Sequence, residues 1–315
     1  MTPHHGRDTS LGVVLGMGAG AAWGLVFVAP KLAGDFSPLQ LSAARYLAYG
    51  ALSLALVAPR WHVLTGHIGP TEWRALLRLS LLGNIVYYIL LASAVQLAGV
   101  ATTSLIIGFL PVAVTLVGSR AHGAVPLRRL LPTLVLGAAA VVCVGWQALA
   151  APSTASWPAR LAGLTCALGA LASWSAYAVL NSRWLARVRH VGAHDWSLLT
   201  GLATGALALL IAVPAFAFSS RHHAGVDWLR FAAVASGVAV AASIVGNALW
   251  NRASRLLPLT MIGQMILFET LFALLYGFLW EARWPSALEV LAMVLVGASV
   301  VSCVSAHRHA PPATP

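Results

Sequence analysis

Charge is what this sequence has least of. Only 9% of its 315 residues are Asp, Glu, Lys or Arg, against 59% that are hydrophobic, whereas soluble domains carry about 25% charged residues. No soluble fold hides that much apolar surface, so the composition excludes the soluble classes and points to a membrane protein. Lysine is nearly missing: Lys31 is the only one, and the other basic residues are arginines, which reads as genome composition rather than function. Cysteine is scarce as well. Cys143, Cys166 and Cys303 lie inside apolar runs at spacings that suit neither a metal site nor a disulfide framework, so they read as small buried hydrophobes. The eleven histidines are expected in loops and tails, which removes a histidine proton relay. A cleavable signal pattern is not seen, because the first apolar run follows a short polar tail and is long enough to span. Neither a G-x-x-x-x-G-K-[ST] loop nor H-E-x-x-H occurs, and no paired acids or serine–histidine pair stand out within the spans. An enzyme is therefore not expected, nor a metal, a cofactor or an ATPase subunit.

What is present is a series of long apolar runs. A crossing helix needs roughly 20 apolar residues, and ten candidates meet that length: Leu11–Leu32, Pro38–Ala58, Ala75–Leu97, Val100–Gly118, Arg129–Leu149, Arg160–Asn181, Trp196–Phe218, Arg230–Trp250, Leu259–Trp280 and Ser286–Val304. Backbone polar groups in lipid must be bonded within their own segment, so these runs are expected as helices. A β-barrel would show shorter, alternating segments. The net charge of +11 does not indicate nucleic acid, because the arginines are spread through short loops rather than gathered on one face. They do set an orientation. With the N-terminus inside, the cytoplasmic segments hold Arg7, Arg60, Arg74, Arg78, Arg120, Arg128, Arg129, Arg183, Arg187, Arg189, Arg252, Arg255 and Arg308. The external segments hold Lys31, Arg160, Arg221, Arg230 and Arg283, and Arg45 lies within the second span. Both termini are thus expected in the cytoplasm of a multi-pass protein of the bacterial inner membrane.

The two halves of the chain resemble each other. Gly18-Ala19-Gly20-Ala21-Ala22-Trp23 aligns with Gly169-Ala170-Leu171-Ala172-Ser173-Trp174, and Ala94-Val95-Gln96-Leu97 with Ala253-Ser254-Arg255-Leu256, a register that puts Phe109 on Phe268. Five spans per half is an odd number, so the second copy enters the membrane from the opposite side. Inverted repeats of this kind are a transporter signature, with the substrate site near the midplane between the halves. The expected organisation is a cytoplasmic tail (1–10), a first five-helix repeat (11–149), an external linker (150–159), a second repeat (160–304) and a cytoplasmic tail (305–315). The fold class is all-α and polytopic, with ten transmembrane helices.

Ala248-Leu249-Trp250-Asn251-Arg252-Ala253 leads through Leu257-Pro258 into a ninth span that holds Phe268-Glu269-Thr270-Leu271-Phe272-Ala273 and closes on Trp280-Glu281. From Leu11 to Val304 the chain resembles the EamA family of the drug/metabolite transporter superfamily. That resemblance implies a ten-helix exporter of two inverted repeats. The family's usual pattern has Glu-Pro where this chain has Glu269-Thr270. Trp174-Ser175-Ala176-Tyr177, Tyr87-Tyr88-Ile89 and Trp250-Asn251 are similar to the amino-acid exporters of the YddG type, which implies export of neutral or aromatic amino acids, or related small metabolites, by alternating access. Cationic drugs are the other substrate class open to such a chain.

Several residues lie deep enough to contact a substrate. Glu269 sits near the centre of the ninth span, where a carboxylate costs roughly 2.5–3.5 kcal/mol to insert and by default faces a cavity or a partner. It would bind a substrate ammonium or carry a coupling proton; the structural alternative is a bond to Gln264 that only holds helices together. Trp23 and Trp174 occupy matched repeat positions, and Tyr177 follows Trp174 on nearly the same face. Asn84, Tyr87 and Tyr88 stand on the third span, Asn247 and Trp250 on the eighth. Together they suit aromatic walls with a few polar groups around an amphipathic organic molecule; the alternative is helix packing or an interfacial belt. Trp61, Trp73, Trp157, Trp184, Trp196, Trp228, Trp280 and Trp284 flank spans and are expected in that belt. Arg45 would either hold a carboxylate as a fork donor or snorkel to the headgroups. Pro111 and Pro214 are expected to bend the fourth and seventh spans.

Overall fold

A computed structural model of the chain describes residues 3–66, 68–120, 125–149, 157–217, 223–282 and 284–308. Among these every regular element is helical. The main helices are α1 (Pro3–Gly24), α2 (Pro38–Val57), α3 (Pro70–Ser80), α4 (Val86–Ile107), α5 (Leu110–Gly118), α6 (Leu127–Leu149) and α7 (Trp157–Arg187). They continue as α8 (Ala193–Ala217), α9 (Gly225–Val238), α10 (Asn247–Leu256), α11 (Leu259–Met265), α12 (Leu267–Glu281) and α13 (Ala287–Arg308). Two π-helical segments, Leu81–Ile85 and Ala239–Gly246, join α3 to α4 and α9 to α10. Seven helical stretches among the described residues are long and apolar enough to cross a membrane: Leu39–Thr65, Pro70–Ala94, Trp157–Arg187, Ala193–Ala217, Gly225–Leu256, Leu259–Trp280 and Ala287–His307. The other three expected spans fall on α1, on α4 and α5, and on α6.

Several boundaries differ from the sequence reading. The N-terminal tail is helical from Pro3, continuous with the first span. A connection was expected at Gln96–Gly99, yet α4 runs through it; that stretch has no proline and no charge to stop a helix. At the far end α13 continues past Val304, so His307 lies on a helix, its Nε2 2.7 Å from Thr260 Oγ1. Most of the expected external linker (150–156) and the end of the C-terminal tail (309–315) lie outside the described residues. Pro111 sits at the start of α5, where the fourth span breaks, whereas α8 continues through Pro214. The ninth span breaks too, between Met265 and Leu267, although no proline stands there.

Packing depends on small residues. Gly12, Gly16, Gly20 and Gly24 form one stripe of α1, four residues apart, and each lies against the ninth span or its approach. A Cβ on Gly16 would meet Met265 at 2.7 Å, and one on Gly24 would meet the backbone of Ala273 at 2.9 Å. Across the bundle Gly50 of α2 and Gly205 of α8 face each other, so that a Cβ on either would lie 2.5 Å from the other's Cα. In lipid, where apolar surface gains little by leaving its solvent, such backbone approach is what holds helices together. The most extensive pairings are α4 with α7, α2 with α8, α6 with α13, α1 with α10 and α12, and α5 with α11.

Candidate functional site

The side chains that the sequence singles out gather around the two π segments. π-Helical turns shift the backbone bonding pattern and recur at functional sites. Here each receives a bond from the first helix of the other half of the chain: Trp23 Nε1 donates to the Ala242 carbonyl at 3.0 Å, and Ser173 Oγ to the Leu82 carbonyl at 2.8 Å. Each also bonds a neighbouring helix through a polar side chain. Asn84 Nδ2 donates to Thr204 Oγ1 on α8 at 2.9 Å, and Arg45 Nε on α2 donates to Ser243 Oγ at 3.1 Å.

Three tryptophans from three helices meet beside the second segment. Ring centroids lie 5.1 Å apart for Trp23 and Trp250, 5.8 Å for Trp174 and Trp250, and 6.3 Å for Trp23 and Trp174. Tyr177 joins at 5.7 Å from Trp174, its ring seated against Gly83, where a Cβ would come within 2.5 Å. All four are buried, so they form a packed aromatic wall. Among the described residues the indole N–H of Trp250 has no hydrogen-bond partner; a buried donor left this way costs about 1–3 kcal/mol.

Arg45, Asn84, Tyr87, Tyr88, Asn247 and Glu269 are only partly buried. Tyr88 packs edge-on against Tyr46, 6.4 Å between centroids, and the Arg45 guanidinium lies 5.3 Å from the Tyr46 ring centre. Asn247 interacts with the hydroxyl of Tyr49, which donates to the Ser197 carbonyl at 2.6 Å. Arg45 therefore turns inward onto its neighbours rather than outward to headgroups. Glu269 stands in the first turn of α12, just after the break in the ninth span, where the helix dipole favours a carboxylate. Its backbone N lies 2.8 Å from the position of a Cβ on Gly20, so the glycine stripe sets its height. Among the described residues its carboxylate makes no hydrogen bond or ion pair; Arg45 is the charged group whose field reaches it, and Tyr87 shares the field of both.

Gln264 stands apart from this group. It is 1% exposed, donates through Nε2 to Thr115 Oγ1 at 2.9 Å and accepts from Ser299 Oγ at 3.2 Å. Those bonds tie the fourth, ninth and tenth spans together, and none reaches Glu269. The sequence reading missed Tyr46, Tyr49 and Ser243. The signal was available in Arg45-Tyr46 followed by Tyr49, which puts Arg45 and Tyr49 on one helical face. It also missed a buried chain in which Trp196 Nε1 donates to Asn181 Oδ1 at 3.1 Å and Asn181 Nδ2 to Asn251 Oδ1 at 2.8 Å. Trp196, expected in the interfacial belt, is fully buried, whereas Trp157 and Trp284 are strongly exposed. Replacing Asn181 by alanine strands both partners, at about 1–3 kcal/mol for each unsatisfied group. A lowered thermal midpoint of the detergent-purified protein is the expected result; an unchanged midpoint would show that the chain carries no stability.

Comparison with known proteins agrees with this architecture. The model of the EamA-like transporter family matches residues 10–146. The inner membrane protein YtfF of Escherichia coli (strain K12) is 31% identical over 312 residues, covering 95% of this chain and 97% of that protein. A solved crystal structure superposes with a TM-score of 0.74 at 20% identity, covering 95% of this chain and 99% of the other, which shows a shared fold. By these matches the chain belongs to the EamA-like transporter family of the drug/metabolite transporter superfamily.

Proposed function

We propose that this protein exports neutral or aromatic amino acids across the bacterial inner membrane, as a secondary transporter of ten helices in two inverted halves. The observation that carries the substrate class is the pair Arg45 and Glu269. They are opposite charges inside one bundle, the field of Arg45 reaching Glu269, yet among the described residues no ion pair joins them. A zwitterion would answer both charges, its carboxylate on the guanidinium of Arg45 and its ammonium on Glu269, with the rings of Tyr87 and Tyr88 alongside. A purely cationic drug, the competing substrate class, has no use for Arg45.

The inverted repeat is supported by matched irregularities. In the register that puts Phe109 on Phe268, Asn84 falls on Ser243, and both bond across to the second span of the other half. The first π segment maps inside the second, and the breaks before α5 and α12 fall within two residues of each other. The exchange of bonds by Trp23 and Ser173 is reciprocal between halves. Rocking one half on the other around these residues gives alternating access. The inner-membrane assignment, with both termini cytoplasmic, rests on arginine placement and on the relative from Escherichia coli.

The test is flux of labelled amino acids in proteoliposomes, with and without a pH gradient. Saturable flux of neutral or aromatic amino acids is expected. Its response to the gradient separates proton coupling from facilitated export. Arg45→Gln should raise the apparent KM for a zwitterion by roughly tenfold or more, the loss of one charge-assisted bond, while leaving any flux of an amine lacking the carboxylate unchanged. Equal loss on both substrates would reject the carboxylate role. Absence of amino-acid flux from folded protein would favour the drug or other-metabolite reading.

A further inference from the structure

A pocket that does not include Glu269 lies between the start of the third span and the end of the sixth. Its volume is about 240 Å³, and it is lined by Thr71, Arg74, Ala75, Arg78 and Leu79 of α3 and by Leu180 and Trp184 of α7. Thr71, Arg74 and Arg78 stand on one face of α3 at helical spacing. Arg74 Nε donates to the Pro70 carbonyl at 3.2 Å, whereas Arg78 makes no such bond among the described residues. A third guanidinium, that of Arg187, lies 5.5 Å from the ring centre of Trp184. No acidic side chain lines the pocket. The nearby acids are otherwise engaged: Glu72 accepts from the Gly69 backbone N–H at 2.9 Å, and Asp195 pairs with Arg60 at 3.0 Å.

Two like charges four residues apart on a helix repel each other. An anion between them removes that repulsion. The rest of the lining indicates what kind of anion. Leu79, Leu180 and the Trp184 ring make an apolar floor beneath the guanidinium groups, and this end of the bundle carries the arginine-rich loops that mark a cytoplasmic membrane face. Basic pockets between helices on that face receive lipid headgroups. We propose that this pocket binds the phosphodiester headgroup of an anionic phospholipid, with Arg74 and Arg78 on the phosphate, Thr71 as a further donor and the glycerol side against Leu79, Leu180 and Trp184.

The experiment is native mass spectrometry of the delipidated full chain, titrated with phosphatidylglycerol, with phosphatidylcholine or with inorganic phosphate alone. Retained phosphatidylglycerol adducts are expected at concentrations where phosphatidylcholine leaves none. The Arg74→Gln/Arg78→Gln variant should lose roughly thirtyfold in apparent affinity, the effect of about two basic residues at an anionic headgroup. Arg160→Gln/Arg230→Gln, at the opposite end of the helices, should retain binding. Equal binding of both lipids, or equal phosphatidylglycerol binding by wild type and the Arg74/Arg78 variant, would overturn the proposal. Displacement of the lipid by millimolar inorganic phosphate would do so as well, by making a free anion the ligand. Should the double variant prove unfolded, Arg78→Gln alone with the same lipids decides, because that side chain makes no hydrogen bond or ion pair among the described residues. None of these outcomes depends on what the central site transports.

Discussion

Glu269→Gln is expected to cut amino-acid flux by roughly tenfold to a hundredfold while leaving the thermal midpoint almost unchanged. The two halves of that expectation have different causes. A charged hydrogen bond contributes about 1.5–3 kcal/mol, which is the scale of losing the ammonium's partner. Stability is spared because the carboxylate makes no hydrogen bond or ion pair among the described residues, so the isosteric amide orphans nothing, and insertion of a neutral side chain costs less than that of a carboxylate. Residual flux in the variant should also lose any dependence on a pH gradient, since glutamine carries no exchangeable charge. Flux equal to wild type at every pH would remove Glu269 from both substrate binding and coupling. A collapsed midpoint would assign it a purely structural role.

Gly20→Ala is expected to destabilise the bundle and to damage transport together. The added Cβ would meet the Phe268 Cβ at 2.6 Å and the backbone N of Glu269 at 2.8 Å. Backbone cannot rotate aside as a side chain can, so α12 must move and carry Glu269 with it. Overpacking of this kind costs about 1–3 kcal/mol, more than the roughly 1 kcal/mol that alanine gains over glycine within a helix, so the sign is destabilising. Gly18→Ala is the contrast. Its Cβ would meet only Cδ1 of Leu249, at 3.1 Å, a mobile tip that can yield, so the propensity gain should leave this variant at or above wild-type stability. Thermal scans with flux measured on the same preparations check both. Equal midpoints for the two variants would show that the glycine stripe does not set the helix spacing.

Much of this arrangement was legible in the sequence. Apolar runs located the helices because lipid imposes one solution on the backbone. Glu269 stood out through the cost of burying it. Trp23, Trp174 and Trp250 were expected among the walls of a cavity, and their rings meet packed against one another. Tyr46, Tyr49 and Ser243 escaped notice because tyrosine and serine are tolerated throughout membrane helices and their roles depend on which helix lies opposite. Gln264 showed the reverse difficulty. One turn from Glu269 in sequence, it falls on the far side of a helix break and spends its amide on Thr115 and Ser299. Trp196 lies at a span end by sequence, yet a hydrogen bond to Asn181 draws it into the interior.

The π segments bear on how such a bundle could move without unravelling. Each holds one residue more than the α-helix it interrupts, so each is a length of slack wound into an otherwise taut coil. Taking up that slack would screw everything beyond it by about 100° and about 1.5 Å along the axis. Past Ala239–Gly246 the residues so turned are Asn247 and Trp250; past Leu81–Ile85 they are Tyr87 and Tyr88. Tyr87 and Tyr88 of the proposed substrate site therefore ride on one clutch, and Asn247 and Trp250 on the other. Engaging one while the other slips would swing one pair away and keep the other in place, with no hinge loop and no lid.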